Sequence, residues 1–343
     1  MNDVVNILAI ETSCDDTAAA VVQNNKVLSN IVSSQKIHEL YGGVVPEVAS
    51  REHDKLIVPV VRKALTSSGL SLNQIDAIAY TRGPGLMGSL LVGTSFAKSL
   101  SLFLNIPLLE INHMHAHILS IFIDDGKDVP AFPFLALTVS GGHTQLVIVN
   151  SPNDFNLIGT TLDDAAGEAF DKSGKILGLE YPAGPKIDKF SKYGDPYKFK
   201  FTKPNVADLD FSFSGLKTNF KNFILKKDKS FIEDNFNDIC ASLQMTIIDI
   251  LIDKIKAASK KFSIKNIVVC GGVSANSKLR SKLKALKNAE IKTYVPEIQY
   301  STDNAAMIGI SGYYKYLESN FGNLSDQSTA KYPLSWTFFT QKI

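Results

Sequence analysis

Three of the six histidines stand at alternate positions in the segment EINHMHAHILS, residues 110–120. Such a run could form a metal site or a proton relay. On a helix, residues four apart share a face, so His113 and His117 can bind one ion while His115 points away. A histidine pair at this spacing serves packing more often than metal binding, so a metal site needs a third ligand. The sequence excludes a HExxH protease, because Met114 stands where that motif needs glutamate.

Length and composition indicate a globular protein with two domains. The chain has 343 residues, of which 45% are hydrophobic and 20% charged,. The apolar run at 4–10 has no basic residues before it, so we interpret it as a first strand and not as a signal peptide. The apolar segment 89–104 is interrupted by Lys98 and rich in serine, so no membrane span is predicted. Three widely spaced cysteines are typical of reduced thiols, as in a cytoplasmic protein,.

An internal repeat gives the predicted fold. Residues 7–22 align without gaps on residues 134–149, and each reads as a strand, a tight turn and an antiparallel strand,. A second pair, 75–85 and 264–274, reads as a strand followed by a glycine-containing turn. Helical patterns lie between these segments, for example at 52–69 and 239–262. The sequence therefore predicts two α/β domains of related topology that face each other across a cleft.

The turns after the predicted strands are candidates for ligand binding, because ligands bind at strand ends in open α/β sheets. Gly141-Gly142 and Gly271-Gly272 would let the backbone approach a phosphate,. A hairpin turn also favours glycine, so each pair has a structural alternative. The segment GPGLMGS (83–89) lacks the lysine of a P-loop, so we expect it to allow close packing of a helix.

Nine motifs, in order along residues 11–307, resemble the tRNA N6-adenosine threonylcarbamoyltransferase family of the bacterial TsaD type. The resemblance covers nearly the whole chain. The motifs are ETSCDDT, PEVASREH, GPGLMGSL, NHMHAH, VSGGHTQL, DDAAGEAFDK, FSFSGLKT, CGGVSAN and STDNAAM.

The resemblance implies an α/β fold of two duplicated actin/Hsp70/sugar-kinase-like (RNase H-like) domains around a nucleotide-binding cleft. We expect domains at 1–130 and 131–343, with the last helix, about 303–320, packing back on the first domain. The implied reaction moves a threonylcarbamoyl group from threonylcarbamoyl-AMP to N6 of the adenosine 3′ of the anticodon, in tRNAs that read ANN codons, and releases AMP. The implied partners are tRNA, a paralogous TsaB-type subunit and a TsaE-type ATPase.

The resemblance also supplies the third metal ligand, Asp303 of the STDN motif. Two imidazoles and one carboxylate suit Fe²⁺ or Zn²⁺ and leave coordination positions open for substrate. Such an ion could activate the carbonyl or anchor the threonyl group. The family commonly has an acidic residue in place of His115 and glycine in place of Ala116, which makes metal preference the open question. We expect His115 to be solvated or outside the first ligand shell rather than a surplus ligand.

The implied donor pocket would also accept an ATP- or ADP-like nucleotide. The glycine turn would cradle phosphate, two aspartates would accept from ribose hydroxyls, and Asn276 would either bind nucleotide or only cap a helix. The pocket comprises Thr138, Val139, Ser140, Gly141, Gly142, Asp171, Gly184, Asp188 and Asn276.

Acidic residues elsewhere have two interpretations. Glu11, at the end of the first strand, is the candidate for steering or deprotonating the amine, while Asp15 and Asp16 could order the turn. Asp164, Glu168 and Asp171 are predicted to share one helical face, either towards a cation or hydroxyl donors in the cleft or on solvated surface.

Basic residues indicate where tRNA could bind. The span 186–292 holds 22 Lys and Arg against 11 Asp and Glu, although such charges also solvate helix faces,. Arg51, His53 and Lys217 could contact tRNA; alternatively Arg51 pairs with an acid and Ser214 caps a helix. The helix at 88–103 could dock a paralogous partner or serve only the core. A small-molecule kinase and a noncatalytic nucleotide-dependent scaffold are the alternative functions, and neither needs the histidine pair.

Overall fold

The computed structural model describes residues 4–334 and contains two mixed five-stranded sheets. The first has the order β3-β2-β1-β4-β5 and the second the order β10-β9-β6-β7-β8. The strands of the first sheet are β1 (Asn6–Glu11), β2 (Asp16–Gln23), β3 (Lys26–Ser34), β4 (Ala77–Gly83) and β5 (Leu108–Asn112). Those of the second are β6 (Phe134–Val139), β7 (Thr144–Ser151), β8 (Asp154–Thr160), β9 (Asn266–Cys270) and β10 (Lys292–Tyr294).

The two sheets repeat one topology, which confirms the predicted duplication. In each, an antiparallel hairpin, β1–β2 or β6–β7, supplies the central strand. A parallel strand then pairs beside that central strand, β4 with β1 and β9 with β6. Parallel neighbours bring their carboxyl ends to one edge of a sheet. The turns after β1, β4 and β6 line one cavity.

Eleven α-helices join and cover these sheets within the described residues. The predicted helices 52–69 and 239–262 correspond to α1 and α8, and α1 ends at Gly69 with φ +75°, as expected of a glycine cap,. The helices are α1 (Pro46–Ser68), α2 (Met87–Leu104), α3 (His113–Leu119), α4 (Ala166–Ile176), α5 (Gly184–Ser191), α6 (Ser214–Leu225), α7 (Lys229–Asp234), α8 (Phe236–Phe262), α9 (Ser277–Ala285), α10 (Ile298–Ser301) and α11 (Ala305–Leu317).

The core beneath the cleft contains residues of both sheets. Helices α3 and α11 pack there together with apolar side chains of β1, β4, β6 and β9. Helix α11 lies against the first sheet, where a Cβ at Gly309 would come within 2.4 Å of Val22 Cγ2. This contact fixes the start of α11, and therefore Asp303 just before it, relative to β1. The domain limits at 130 and 131 stay a prediction.

The glycines of the GPGLMGS segment permit close packing, as expected. A Cβ at Gly85 would come within 2.5 Å of the Ser13 carbonyl oxygen. Beyond the segment, on α2, a Cβ at Gly93 would come within 2.2 Å of Thr12 Oγ1. Helix α2 therefore lies directly against the turn that follows β1.

Among the described residues, α2 is the one helix long and apolar enough to cross a membrane. One face of it is buried on α1 and β4, as in the core helix of a globular protein.

Candidate functional site

The predicted metal ligands come together at the base of the cleft. Helix α3 begins at His113 because the side chain of Asn112 accepts hydrogen bonds from two backbone amides of its first turn,. The helix places His113 and His117 on one face, with ring centroids 4.6 Å apart. Asp303 Oδ1 lies 3.1 Å from His117 Nε2 and 3.5 Å from His113 Nε2. A ligand trio from distant parts of the chain therefore shares one point.

Glu11 lies behind His113 and is completely buried. One carboxylate oxygen is 3.0 Å from His113 Nδ1 and accepts from the Thr81 hydroxyl at 2.6 Å; the other accepts from the backbone amide of Ser13. Burial alone would lower the pKa of His113, but the charges of Glu11 and Asp303 raise it to about 10. The carboxylate thus orients the imidazole so that Nε2 faces Asp303.

The chemistry of these groups fits a divalent metal. The ligand atoms of the trio lie within 4.8 Å of one another, and they comprise two imidazole nitrogens and a carboxylate,. Burial acts to raise the pKa of Asp303, yet the charge of His113 holds it well below its usual value, so Asp303 stays ionised. The buried Nδ1 of His117 has no hydrogen-bond partner among the described residues.

A cavity of about 1040 Å³ opens from this trio into the cleft and is lined in part by His113, Asp303, Asp171 and the turn 140–143. The Ser140 backbone amide donates to the His143 carbonyl at 2.9 Å and closes that turn. A Cβ on Gly141 or Gly142 would meet open space, so both backbones are accessible to a ligand.

The predicted donor-pocket residues fall into two groups. Thr138 and Val139 end β6 beneath the turn 140–142, and Asp171 lines the same cavity. Asp171 accepts from the backbone amides of Ala183 and Gly184, at the start of α5. Of this group, residues 140–142 and Asp171 line the cavity together with His113 and Asp303, whereas Thr138 and Val139 are buried beneath it.

The second group, Asp188 and Asn276, does not line that cavity. Asp188 accepts from the amide and the hydroxyl of Ser277. Asn276 caps α9 by accepting from two backbone amides, and it donates to the Gln244 carboxamide at 2.7 Å. The helix-cap interpretation of Asn276 describes its contacts, and its nucleotide contact stays a prediction.

The predicted acidic face is wrong for Asp164. Helix α4 begins at Ala166, so Asp164 precedes it. Its carboxylate oxygens form ion pairs with Lys172 at 2.6 Å and with Lys217 at 2.7 Å. The ammonium group of Lys217, a predicted tRNA contact, is therefore already in an ion pair.

His53 is wrong as a tRNA contact, because it is completely buried. Its Nε2–H donates to the Cys14 carbonyl at 3.0 Å, so Nδ1 accepts from the Thr17 hydroxyl at 2.7 Å,. Arg51 is exposed and pairs with Glu47 one turn away, which is the alternative interpretation.

The expectation that Ser214 caps α6 needs correction: the cap position is Phe213, and Asp163 accepts from the backbone amides of Phe213 and Ser214. Of the two places expected for His115, the structure supports the one outside the first ligand shell and not the solvated one. Its ring stacks on Phe155 at 3.8 Å and its Nε2–H donates to the Leu334 carbonyl at 2.6 Å. His115 therefore packs away from the metal trio.

Sequence reasoning missed His143, although it follows the glycine turn directly. Its half-buried ring lines the cavity, and burial together with the positive charges of His113 and His117 lowers its pKa to about 4. A neutral imidazole therefore lies next to the trio.

Solved structures define the class of protein. HypF of T. kodakarensis matches with TM-score 0.62 at 16% identity, over 92% of this chain and 48% of that one. The ROK hexokinase of Thermus thermophilus matches with TM-score 0.52 at 13% identity, over 92% of this chain and 100% of that one. The fold is that of the actin- and sugar-kinase-like ATPases, as the resemblance implied.

Sequence relatives then identify the family. The family model TsaD, tRNA N6-adenosine threonylcarbamoyltransferase, matches residues 26–310. Proteins of that name from Christiangramia forsetii and Porphyromonas gingivalis are 59% and 54% identical, over 96% and 92% of this chain and 98% and 94% of their own. The chain belongs to the tRNA N6-adenosine threonylcarbamoyltransferase family.

Proposed function

We propose that this protein transfers a threonylcarbamoyl group from threonylcarbamoyl-AMP to N6 of the adenosine 3′ of the anticodon in tRNAs that read ANN codons, with release of AMP. One observation carries the proposal for this chain. Two members of the trio, His113 and Asp303, line the same cavity of about 1040 Å³ as the glycine turn 140–142, and the third, His117, lies 3.1 Å from Asp303. A drug-sized or nucleotide-sized ligand fits a pocket of that volume.

Fe²⁺ or Zn²⁺ would be held by His113, His117 and Asp303. When bound, it would supply Lewis-acid activation of the carbamoyl carbonyl or an anchor for the threonyl group. Glu11 then acts as a positioning residue for His113, because both of its carboxylate oxygens are already committed to protein donors. Its role as a base, predicted from the sequence, is the less favoured of the two.

The donor would lie along the cavity, with its phosphate at the amides of Gly141 and Gly142 and its ribose towards Asp171. An ATP- or ADP-like nucleotide would occupy the same place. Lys175, exposed on the last turn of α4, also lines the cavity and offers a positive charge near the phosphate,.

The proposed partners are tRNA, a TsaB-type paralogue and a TsaE-type ATPase, all in the cytoplasm. The basic span 186–292 would receive tRNA phosphates. The outer face of α2 exposes Leu91, Leu102 and Phe103, which gives an apolar surface suited to the paralogous subunit,.

Reconstitution tests the proposal directly. The protein, unmodified tRNA, threonylcarbamoyl-AMP and the two partner proteins are incubated, and the nucleosides are analysed by mass spectrometry. Threonylcarbamoyl adenosine is the expected product. If a partner set that supports a known family member gives none with this protein, the function is refuted. A His117→Ala variant with undiminished activity would refute the metal role alone.

The kinase alternative shares the fold and is tested in parallel. A kinase would consume ATP in the presence of a small hydroxylated acceptor and would not need the trio. Phosphoryl transfer that persists in His117→Ala would favour the kinase.

A further inference from the structure

A second cavity, of about 430 Å³, adjoins the first and shares two lining residues with it. It is lined by Pro84, Met114, His143, Gln145 and residues 330–334. Pro84 and His143 line both cavities. The two cavities therefore adjoin at Pro84 and His143. Met114, which lines the second cavity, follows the ligand His113 directly in the chain.

His143 differs from every other histidine of the chain. The rings of the other five each form a hydrogen bond, whereas the ring of His143 has no hydrogen-bond or ion-pair partner among the described residues. The carboxamide oxygen of its neighbour Gln145 is also without a partner there. Uncommitted polar groups at a cavity wall cost stability unless a ligand engages them.

We propose that this second cavity binds the acceptor adenine of tRNA, and that His143 accepts the proton of the attacking N6 amine. The inference rests on the proposed function. A base must leave the stack of the anticodon loop to react, and a separate pocket of this size admits an unstacked base. With the donor in the larger cavity, the adenine N6 and the carbonyl carbon would meet where the two cavities adjoin, with the His143 imidazole beside both,.

The proposed step balances as follows. The N6 lone pair forms a bond to the carbamoyl carbon, and the bond from that carbon to the phosphate oxygen breaks, so AMP leaves with the electron pair. The N6 proton passes to the His143 imidazole and then to water. Attack on the carbonyl makes the N6–H acidic, so an imidazole of low basicity suffices as the acceptor.

Glu11 is a weaker candidate for this proton, because it lines neither cavity and is completely buried. Gln145 is the proposed recognition residue: its carboxamide can pair with the donor and acceptor groups of the adenine edge.

Single-turnover transfer with the complete partner set tests the proposal. His143→Gln keeps a polar side chain without a base, and we expect its rate at saturating tRNA to fall by about 100-fold or more. Metal content and AMP binding should stay at wild-type values. Added imidazole should restore part of the rate in His143→Ala. Gln145→Leu should instead raise the tRNA concentration needed for half-maximal rate several-fold and change the saturated rate little.

A His143→Gln rate within about threefold of wild type would overturn the catalytic role. So would a loss of rate that tracks lost metal, because His143 would then be structural. An unchanged tRNA requirement in Gln145→Leu would overturn the adenine pocket. A wild-type protein that forms no product would refute the proposed function itself, and the inference with it.

Discussion

Replacement of Glu11 by glutamine should weaken metal binding at the trio. In the protein, the carboxylate is 3.0 Å from His113 Nδ1, and its two oxygens also accept from Thr81 and Ser13. A glutamine oxygen that accepts from His113 and Thr81 would turn the NH₂ group towards the backbone N–H of Ser13. In the opposite flip, the NH₂ group would face the Nδ1–H of His113. Relief of that clash requires the other tautomer, which protonates Nε2, the nitrogen that faces Asp303.

The loss of such an orienting partner lowers metal affinity by about 10- to 100-fold, or about 1.4–2.7 kcal/mol. We expect the loss of metal affinity in Glu11→Gln to lie at the upper end of this range, because the carboxylate is completely buried and water cannot replace it. Thr81→Val is the matched control: it removes one hydrogen bond from the same carboxylate and keeps the charge, so its effect should stay below about tenfold.

A Zn²⁺ titration against a chromophoric chelator measures the affinity, and Co²⁺ absorption reports the ligand geometry. A Glu11→Gln protein that binds Zn²⁺ within about twofold of wild type would refute the orienting role. If such a protein also lost transfer activity, the result would favour Glu11 as the base.

Four further results are expected. His53→Leu leaves the buried Thr17 hydroxyl without its partner, whereas the Cys14 carbonyl still accepts from Ser89; the cost of about 1–3 kcal/mol should shift urea unfolding and leave tRNA affinity unchanged, and unchanged stability would contradict the buried network. Gly309→Ala should lower stability by about 1–3 kcal/mol, and Val22→Ala should relieve part of it; additive losses would argue against the contact. Burial raises the pKa of Asp16 to about 7, so protonated Asp16 stabilises the fold at low pH and this contribution is lost as pH rises from about 4 to about 7. In urea titrations, Asp16→Asn should therefore gain stability relative to wild type over that pH window. A stability difference that is constant with pH would refute the raised pKa. Added salt should weaken tRNA binding through the span 186–292; affinity unchanged between low and moderate salt would exclude that contact.

Local patterns were sufficient for the repeated elements of the fold. Residues 7–22 and 134–149 both form the predicted hairpins, because alternating apolar runs separated by polar or glycine turns have few other ways to bury their side chains,. The i,i+4 spacing likewise predicted that His113 and His117 share a face. The family resemblance, and not the spacing, supplied Asp303.

Predictions failed where a residue's surroundings come from distant chain segments. His53 lies on the amphipathic helix α1 and was predicted to contact tRNA. Its side chain instead faces the turn after β1 and is completely buried there. His115 looked solvated, but Phe155 and Leu334, both remote in sequence, cover it. Asp164 looked helical, but α4 begins two residues later and lysines of α4 and α6 hold it.

The sequence by itself determined the duplicated α/β plan, the family and the histidine pair, because periodicity, glycine turns and motif order are local properties of the chain. Only the tertiary structure decided which polar groups are hydrogen-bonded to other protein groups and which are not. Glu11 is bound on both oxygens, whereas the His143 ring lines two cavities and has no hydrogen-bond partner in the part of the chain that the structure describes. Whether a polar atom is hydrogen-bonded depends on which distant residues lie within about 3 Å of it. Spacing along the sequence does not encode that distance.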